Sequence, residues 1–224
     1  MNIMNVMPQL SLSEIGPVNE FGEAVHFRQG DLDGACGPYS LLMALVANGI
    51  IRRYEASYMG LHDGRTKLGR FYNRLTEFGG LISNGTDEFQ LDWLAECFGR
   101  HIEIDIFEGN TRSMLEQLVE AVRKGHSSIV GVNWPGGDGH WLLVVGYQGR
   151  VVGKGTDSRA ISCTHLLCLD PFVEAPKVSL WNAVLEVQTA GLVVPNAGRF
   201  PTNHWGGAAK SKCKITNALA IMKR

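Results

Sequence analysis

The chain lacks a charge excess of either sign. Its 224 residues carry 21 Lys plus Arg against 22 Asp plus Glu, a formal net charge of -1. A balance that close to neutral gives no field to gather nucleic acid or an anionic membrane surface, so neither is expected as a partner. Cysteine is sparse. Five residues (Cys36, Cys97, Cys163, Cys168 and Cys213) stand at irregular spacing. An odd, scattered set makes a poor disulfide framework and reads as reduced thiols in a reducing compartment. Positive charge is missing from the opening MNIMNVMPQLSLSEIG, which also has no long apolar run, so no signal peptide is expected there. The longest apolar stretch, residues 41–51, is broken by Asn48 and Gly49 and is too short to cross a bilayer. These absences point to a cytoplasmic protein, or to one exported without a cleavable signal. Repeats and low-complexity tracts are absent too.

What remains is an ordinary globular composition, 45% hydrophobic and 19% charged. A chain of this length buries a core without disulfides or metals. Residues 1–28 read as an irregular arm, 29–197 as one catalytic domain, and 198–224 as a basic segment added to it. That last segment holds Arg199, Lys210, Lys212, Lys214, Lys223 and Arg224 and no acidic residue, the pattern of a solvated end.

Within the domain, GACGPYSLLMALVANG predicts a buried helix that starts beside Cys36 and stops at Gly49. Pro38 is tolerated in its first turn. DEFQLDWLAECFG predicts a second helix, capped by Thr86 or Asp87. HIEIDIF alternates and predicts a strand. Ser113 opens the helix SMLEQLVEAVRKG. SSIVGVNW, HWLLVVGY and ISCTHLLCLD predict strands, with PGGDG a tight loop between the first two. Ser179 caps a short helix, LWNAVLEV. Residues 52–83 predict surface helix and loop. Helices first and a mostly antiparallel sheet second make an α+β arrangement.

The chemistry gathers around Cys36. A thiol attacks carbonyl carbon only as thiolate. A helix N-terminus lends roughly half a positive charge to that anion, and a nearby histidine takes the proton. Gly34 and Gly37 flank Cys36 closely and leave room for a substrate backbone. His140 opens a strand directly after the glycine loop, a good place for a general base. If HWLLVVGY and ISCTHLLCL form one hairpin with Gly149 opposite Ile161, then Asp170 falls opposite His140, about 4.5–5.5 Å away. Asp170 would then orient the imidazole. Asp157, the rival acid, would sit at the loop tip, roughly 25 Å off at about 3.3 Å per residue. Gln29 offers an amide to a developing oxyanion, beside the Cys36 backbone N–H. Asp170 before Pro171 is also ordinary turn chemistry. The run CTHLLC looks briefly like a metal cluster, but Cys168 has the wrong strand parity and no fourth ligand is evident. No metal and no cofactor is expected.

The ordered set Gln29, ACGPYSLLMAL, GTDEFQLDWLAECFG, GHWLLVVGY and LDPF resembles papain-like cysteine peptidases, and within them the bacterial branch of bacteriocin leader (double-glycine) peptidases. The likeness spans residues 28–172. Ala35 stands where that branch carries an acidic residue, and Gln29 precedes Cys36 by seven positions. The resemblance implies a papain-like α+β fold, with N-terminal helices and the nucleophile helix packed on a mostly antiparallel sheet. It also implies a catalytic set of Cys36, His140, Asp170 and Gln29 acting on a protein or peptide substrate. The expected reaction is hydrolysis of a peptide or isopeptide bond through a thioester. A glutamine deamidase or acyltransferase of effector type would use the same residues, and an inactive binding module would use none of them.

Overall fold

The computed structural model describes residues 1–30, 34–57, 63–78, 85–107, 111–152, 160–187, 202–207 and 209–224. Asp157 and Arg199 lie outside the described residues, as does part of the 52–83 region.

Three short strands open the chain, β1 (Asn2–Val6), β2 (Ser11–Ser13) and β3 (Gly16–Val18). Four helices follow: α1 (Cys36–Ala47), α2 (Arg53–Ser57), α3 (Lys67–Glu77) and α4 (Glu88–Ala95). Then come β4 (Ile102–Ile106), α5 (Thr111–Arg123), β5 (Ser127–Asn133), β6 (Gly139–Val152) and β7 (Ala160–Leu169). The chain ends with β8 (Ala183–Glu186), β9 (Thr202–Gly206) and β10 (Ala209–Lys223).

The α+β papain-like expectation is corrected by the sheet. Each strand from β5 to β10 pairs antiparallel with the next, and β10 returns to pair with β5. The result is a closed six-stranded antiparallel barrel, with few helices, and not helices laid on an open sheet. Closure removes the free edges that an open sheet would expose. β1 extends the barrel by pairing with the second half of β6, and β4 by pairing with the end of β10.

Two segments explain why the sequence misled. The basic tail is a wall of the barrel: Lys210, Lys212 and Lys214 are exposed, while Cys213 and Ile215, which alternate with the last two, are buried. That period of two is a strand pattern whose charged half drew the eye. The segment read as a helix after Ser179 is β8, in which Ala183 and Leu185 are buried and alternate with half-buried Val184 and Glu186. So short a run supports either period, and pairing with β7 and β9 decides it. The arm of residues 1–28 is likewise partly regular, contributing β1 and the β2–β3 hairpin.

The core divides in two. Val130, Leu142, Val144, Leu166, Cys168, Leu185 and Ile215 form one apolar cluster with Leu118 and Val122 of α5. The opposite parity of the strands, including Leu143, Val145, Leu167 and Leu169, packs with α1 and α4. Burying α1 almost whole, with Leu41, Met43, Ala44, Leu45 and Val46 at zero exposure, explains why it has no polar face. Asn48 caps its C-terminus, and Gly49 takes the left-handed φ of 65° that ends it. Asp87 and Gln90 form a reciprocal capping box at the start of α4.

Polar bonds then fix α1 to the barrel. Ser40 Oγ donates to the Trp141 carbonyl at 3.2 Å, and Trp141 Nε1 donates to the Thr86 carbonyl at 2.7 Å. Gly37 sits inside this joint. A Cβ there would stand 2.2 Å from Thr86 Oγ1 and 3.1 Å from Trp141 Cδ1. Its smallness serves packing of α1 against Thr86 and Trp141, and not substrate access.

Candidate active site

One end of the barrel collects the turns where β5 passes to β6, β7 to β8 and β9 to β10. The start of α1 lies at the same end, so residues from four distant parts of the chain meet there. Cys36 is the first residue of α1, and no side chain caps the helix at Ala35. His140 is the second residue of β6, and Asp170 follows the last residue of β7.

His140 Nε2 lies 2.7 Å from Asp170 Oδ1. Cys36 stands on the other side of the same ring, near enough to help raise its pKa. With Nε2 turned to Asp170, the nitrogen left for sulfur is Nδ1. Cys36 and His140 line one cleft of about 440 Å3 together with Gln29, Gly34, Thr86, Asp138 and Trp141. That size is within the range of small ligand sites. Gln29 is tied to the site by its backbone N–H, which donates to the Pro171 carbonyl at 2.8 Å. The structure thus brings Cys36 and His140 to one cleft, with Asp170 hydrogen-bonded to the imidazole and Gln29 on the same cleft wall.

The hairpin register differs from the expected one. Gly149 pairs with Cys163, not Ile161, and two irregularities interrupt the β6–β7 ladder. Leu143 pairs with Leu169, so Asp170 lies past the ladder's end and diagonal to His140. A shift of two keeps both side chains on the same face, and diagonal neighbours remain within reach of longer side chains. The expected partner is met through a register the sequence did not show.

Asp170 is the most heavily bonded side chain of the group. Its Oδ1 also accepts the Phe172 backbone N–H at 2.8 Å, the turn geometry of Asp before Pro. Its backbone N–H donates to Asn182 Oδ1 at 2.6 Å, and its carbonyl accepts Asn182 Nδ2 at 3.0 Å and sits 2.9 Å from His26 Nε2. Its Oδ2 lies 3.2 Å from His204 Nε2. His204, Asn182 and His26 escaped the sequence reading. Asn182 and His204 fall in segments read as helix and as solvated tail, and only the strand period would have pointed His204 inward. Among the described residues, no group of three or more His, Cys, Asp or Glu is placed to hold a metal ion.

The charges follow from these contacts. Burial alone would lower the His140 pKa, but hydrogen bonds to Asp170 and Cys36, with their charges, outweigh it and push it up to about 9. Burial would raise the Asp170 carboxyl, but bonds from His140 and His204 hold it well below the usual carboxylate range. Burial, above all, lowers the His26 pKa. Burial pushes the Cys163 and Cys213 thiols up to about 12 and about 11.

A stability profile follows. The His140 contribution is fully present below its unfolded pKa of about 6.5 and is lost as pH rises through about 9. The buried Cys163 and Cys213 thiols act in the same direction, because the unfolded chain ionises its thiols near pH 8.5. The urea midpoint is therefore expected to fall between pH 7 and pH 10, and by less in His140→Phe. A wild-type midpoint unchanged across that window would contradict the charge assignment.

No family model and no curated protein matches this chain.

Proposed function

We propose that the chain is a cysteine-dependent hydrolase that cleaves a peptide or isopeptide bond in a protein or peptide substrate. The observation that carries this reading is a single cleft lined by Cys36 and His140, with Asp170 hydrogen-bonded to the His140 ring. The reading rests on that geometry and not on the fold.

In this mechanism the His140 proton comes from Cys36, leaving a thiolate beside an imidazolium. The start of α1 adds its dipole to the thiolate. Sulfur attacks the carbonyl carbon, and its backbone N–H and the Gln29 amide receive the oxyanion. His140 then gives its proton to the leaving amine, which departs as the thioester forms. Water attacks the thioester, His140 takes a proton from it, and the acid is released with Cys36 restored. Asp170 holds the ring so that Nδ1 faces sulfur throughout.

The test is mass spectrometry of candidate proteins incubated with wild type and with Cys36→Ala. Cleavage by wild type alone is the expected outcome. A mass change of one amide to one acid without cleavage would replace hydrolysis of the backbone by glutamine deamidation, and an amine adduct would replace it by acyl transfer. No change with any substrate, combined with a Cys36 thiol no more reactive than Cys97 or Cys213 toward iodoacetamide, would sink the enzyme reading.

A further inference from the structure

We propose that His204 is a positioning residue that fixes the plane of the Asp170 carboxylate, so that Oδ1 is presented to His140. The proposal rests on the reading of Cys36 and His140 as a thiol–imidazole pair. It adds a member from β9 that no motif of the sequence announces.

The need arises from how Asp170 is held. Oδ1 accepts two donors, His140 Nε2 at 2.7 Å and the Phe172 N–H at 2.8 Å. A carboxylate fixed at one oxygen alone keeps a soft torsion about its last carbon–carbon bond. Holding the second oxygen removes that freedom. His204 Nε2, 3.2 Å from Oδ2, is the group in place to do so. An ionised carboxylate only accepts, so His204 donates from Nε2.

The surroundings of His204 fix the ring itself. His204 is buried, with 9% of its surface exposed. Its ring meets Trp134 edge-on, with centroids 5.5 Å apart and planes at 85°. Trp134 is anchored by its own Nε1, which donates to Ser211 Oγ at 2.8 Å. The same indole stands 6.1 Å from the His140 ring, so it sets the spacing between the two imidazoles that share Asp170. Gly206, two residues along the strand, completes the pocket. A Cβ there would stand 2.6 Å from His204 Cε1 and 3.5 Å from Asp170 Oδ2. Glycine at this position lets the ring lie against the carboxylate.

Three variants of the full chain separate positioning from mere packing. His204→Phe keeps a ring and deletes the donor. His204→Gln returns an amide N–H close to where Nε2 stood. Gly206→Ala keeps the donor and displaces it. The readouts are the rate of Cys36 alkylation by iodoacetamide at neutral pH and the proton resonance of the His140 ring N–H bound to Asp170. His204→Phe and Gly206→Ala are expected to slow alkylation about tenfold, as misplacement of a reacting group does, and to broaden that resonance. His204→Gln should recover most of the rate. Wild-type alkylation rate and an unmoved resonance in folded His204→Phe would overturn the proposal, as would equal losses in the Phe and Gln variants. If His204→Phe does not fold, a folded Gly206→Ala that matches wild type overturns it equally. Wild type reacting no faster than His140→Phe would instead remove the thiol–imidazole pair on which the proposal rests.

Discussion

His140→Phe is expected to lower turnover of whatever substrate the chain cleaves by at least ~10^3-fold, with Cys36→Ala lower still. In sites of this design, loss of one member of the nucleophile–base pair costs nearly as much as loss of both, because neither does its work alone. Two effects add up. Without the imidazole, no base stands ready to take the thiol proton as sulfur attacks. That part alone predicts roughly 10–30-fold slower reaction with iodoacetamide. The remainder is the lost proton to the leaving amine, which alkylation does not need and amide cleavage does. Turnover should therefore fall by far more than alkylation. The measurement is both rates on the same two proteins. Equal falls would mean that His140 acts only through the thiol. Rates within threefold of wild type in both assays would remove His140 from the mechanism.

Which parts of this arrangement the sequence disclosed follows from how local each signal is. The start of α1 at Cys36 is written in neighbouring residues, a polar glycine-containing entry, Pro38 in the first turn and Gly49 past the end. The capping box Asp87–Gln90 is local in the same way. Barrel closure is not local. It depends on β10 finding β5 some eighty residues earlier, and no residue in β10 states which strand it meets. The tail could have been recognised as a strand from the alternation of Lys212, Cys213, Lys214 and Ile215, yet its role as the strand that closes the sheet could not. The irregularities in the β6–β7 ladder are invisible for a similar reason. Gly146 and Gly149 mark where they fall: a Cβ on Gly146 would stand 2.5 Å from the Asn5 carbonyl oxygen of β1. The irregularity at Gly146 thus answers to a third strand, whereas a Cβ on Gly149 would stand 2.8 Å from the Ser162 carbonyl oxygen within the hairpin. His140 and Asp170 were legible as a pair because the error in register was even, which leaves the face unchanged. His204 was not, because it joins them from β9 across two further turns of the barrel wall.

Asp170→Ala is expected to destabilise the fold by roughly 3–5 kcal/mol, the range for breaking a buried charged pair by removing one partner. The side chain is 2% exposed and its two oxygens meet His140, His204 and the Phe172 N–H. Alanine leaves all three donors facing a space that offers no acceptor, and each such buried group costs about 1–3 kcal/mol. At about 2–4 °C per kcal/mol for a chain of this size, the melting temperature should fall by roughly 6–20 °C. Asp170→Asn divides stability from orientation. Its amide oxygen keeps an acceptor for one donor pair. Its NH2 would then confront either the His140 or the His204 N–H, and one imidazole must change tautomer to accommodate it. The expected outcome is a smaller loss of stability than in Asp170→Ala, with a loss of turnover on the order of 10^2–10^4-fold, the effect of a ring held in the wrong tautomer. Thermal melts and turnover on the three proteins would show it. An Asp170→Asn chain as active as wild type would mean that the carboxylate is there for the fold, and that the turn at Asp170 and Pro171 is its whole purpose.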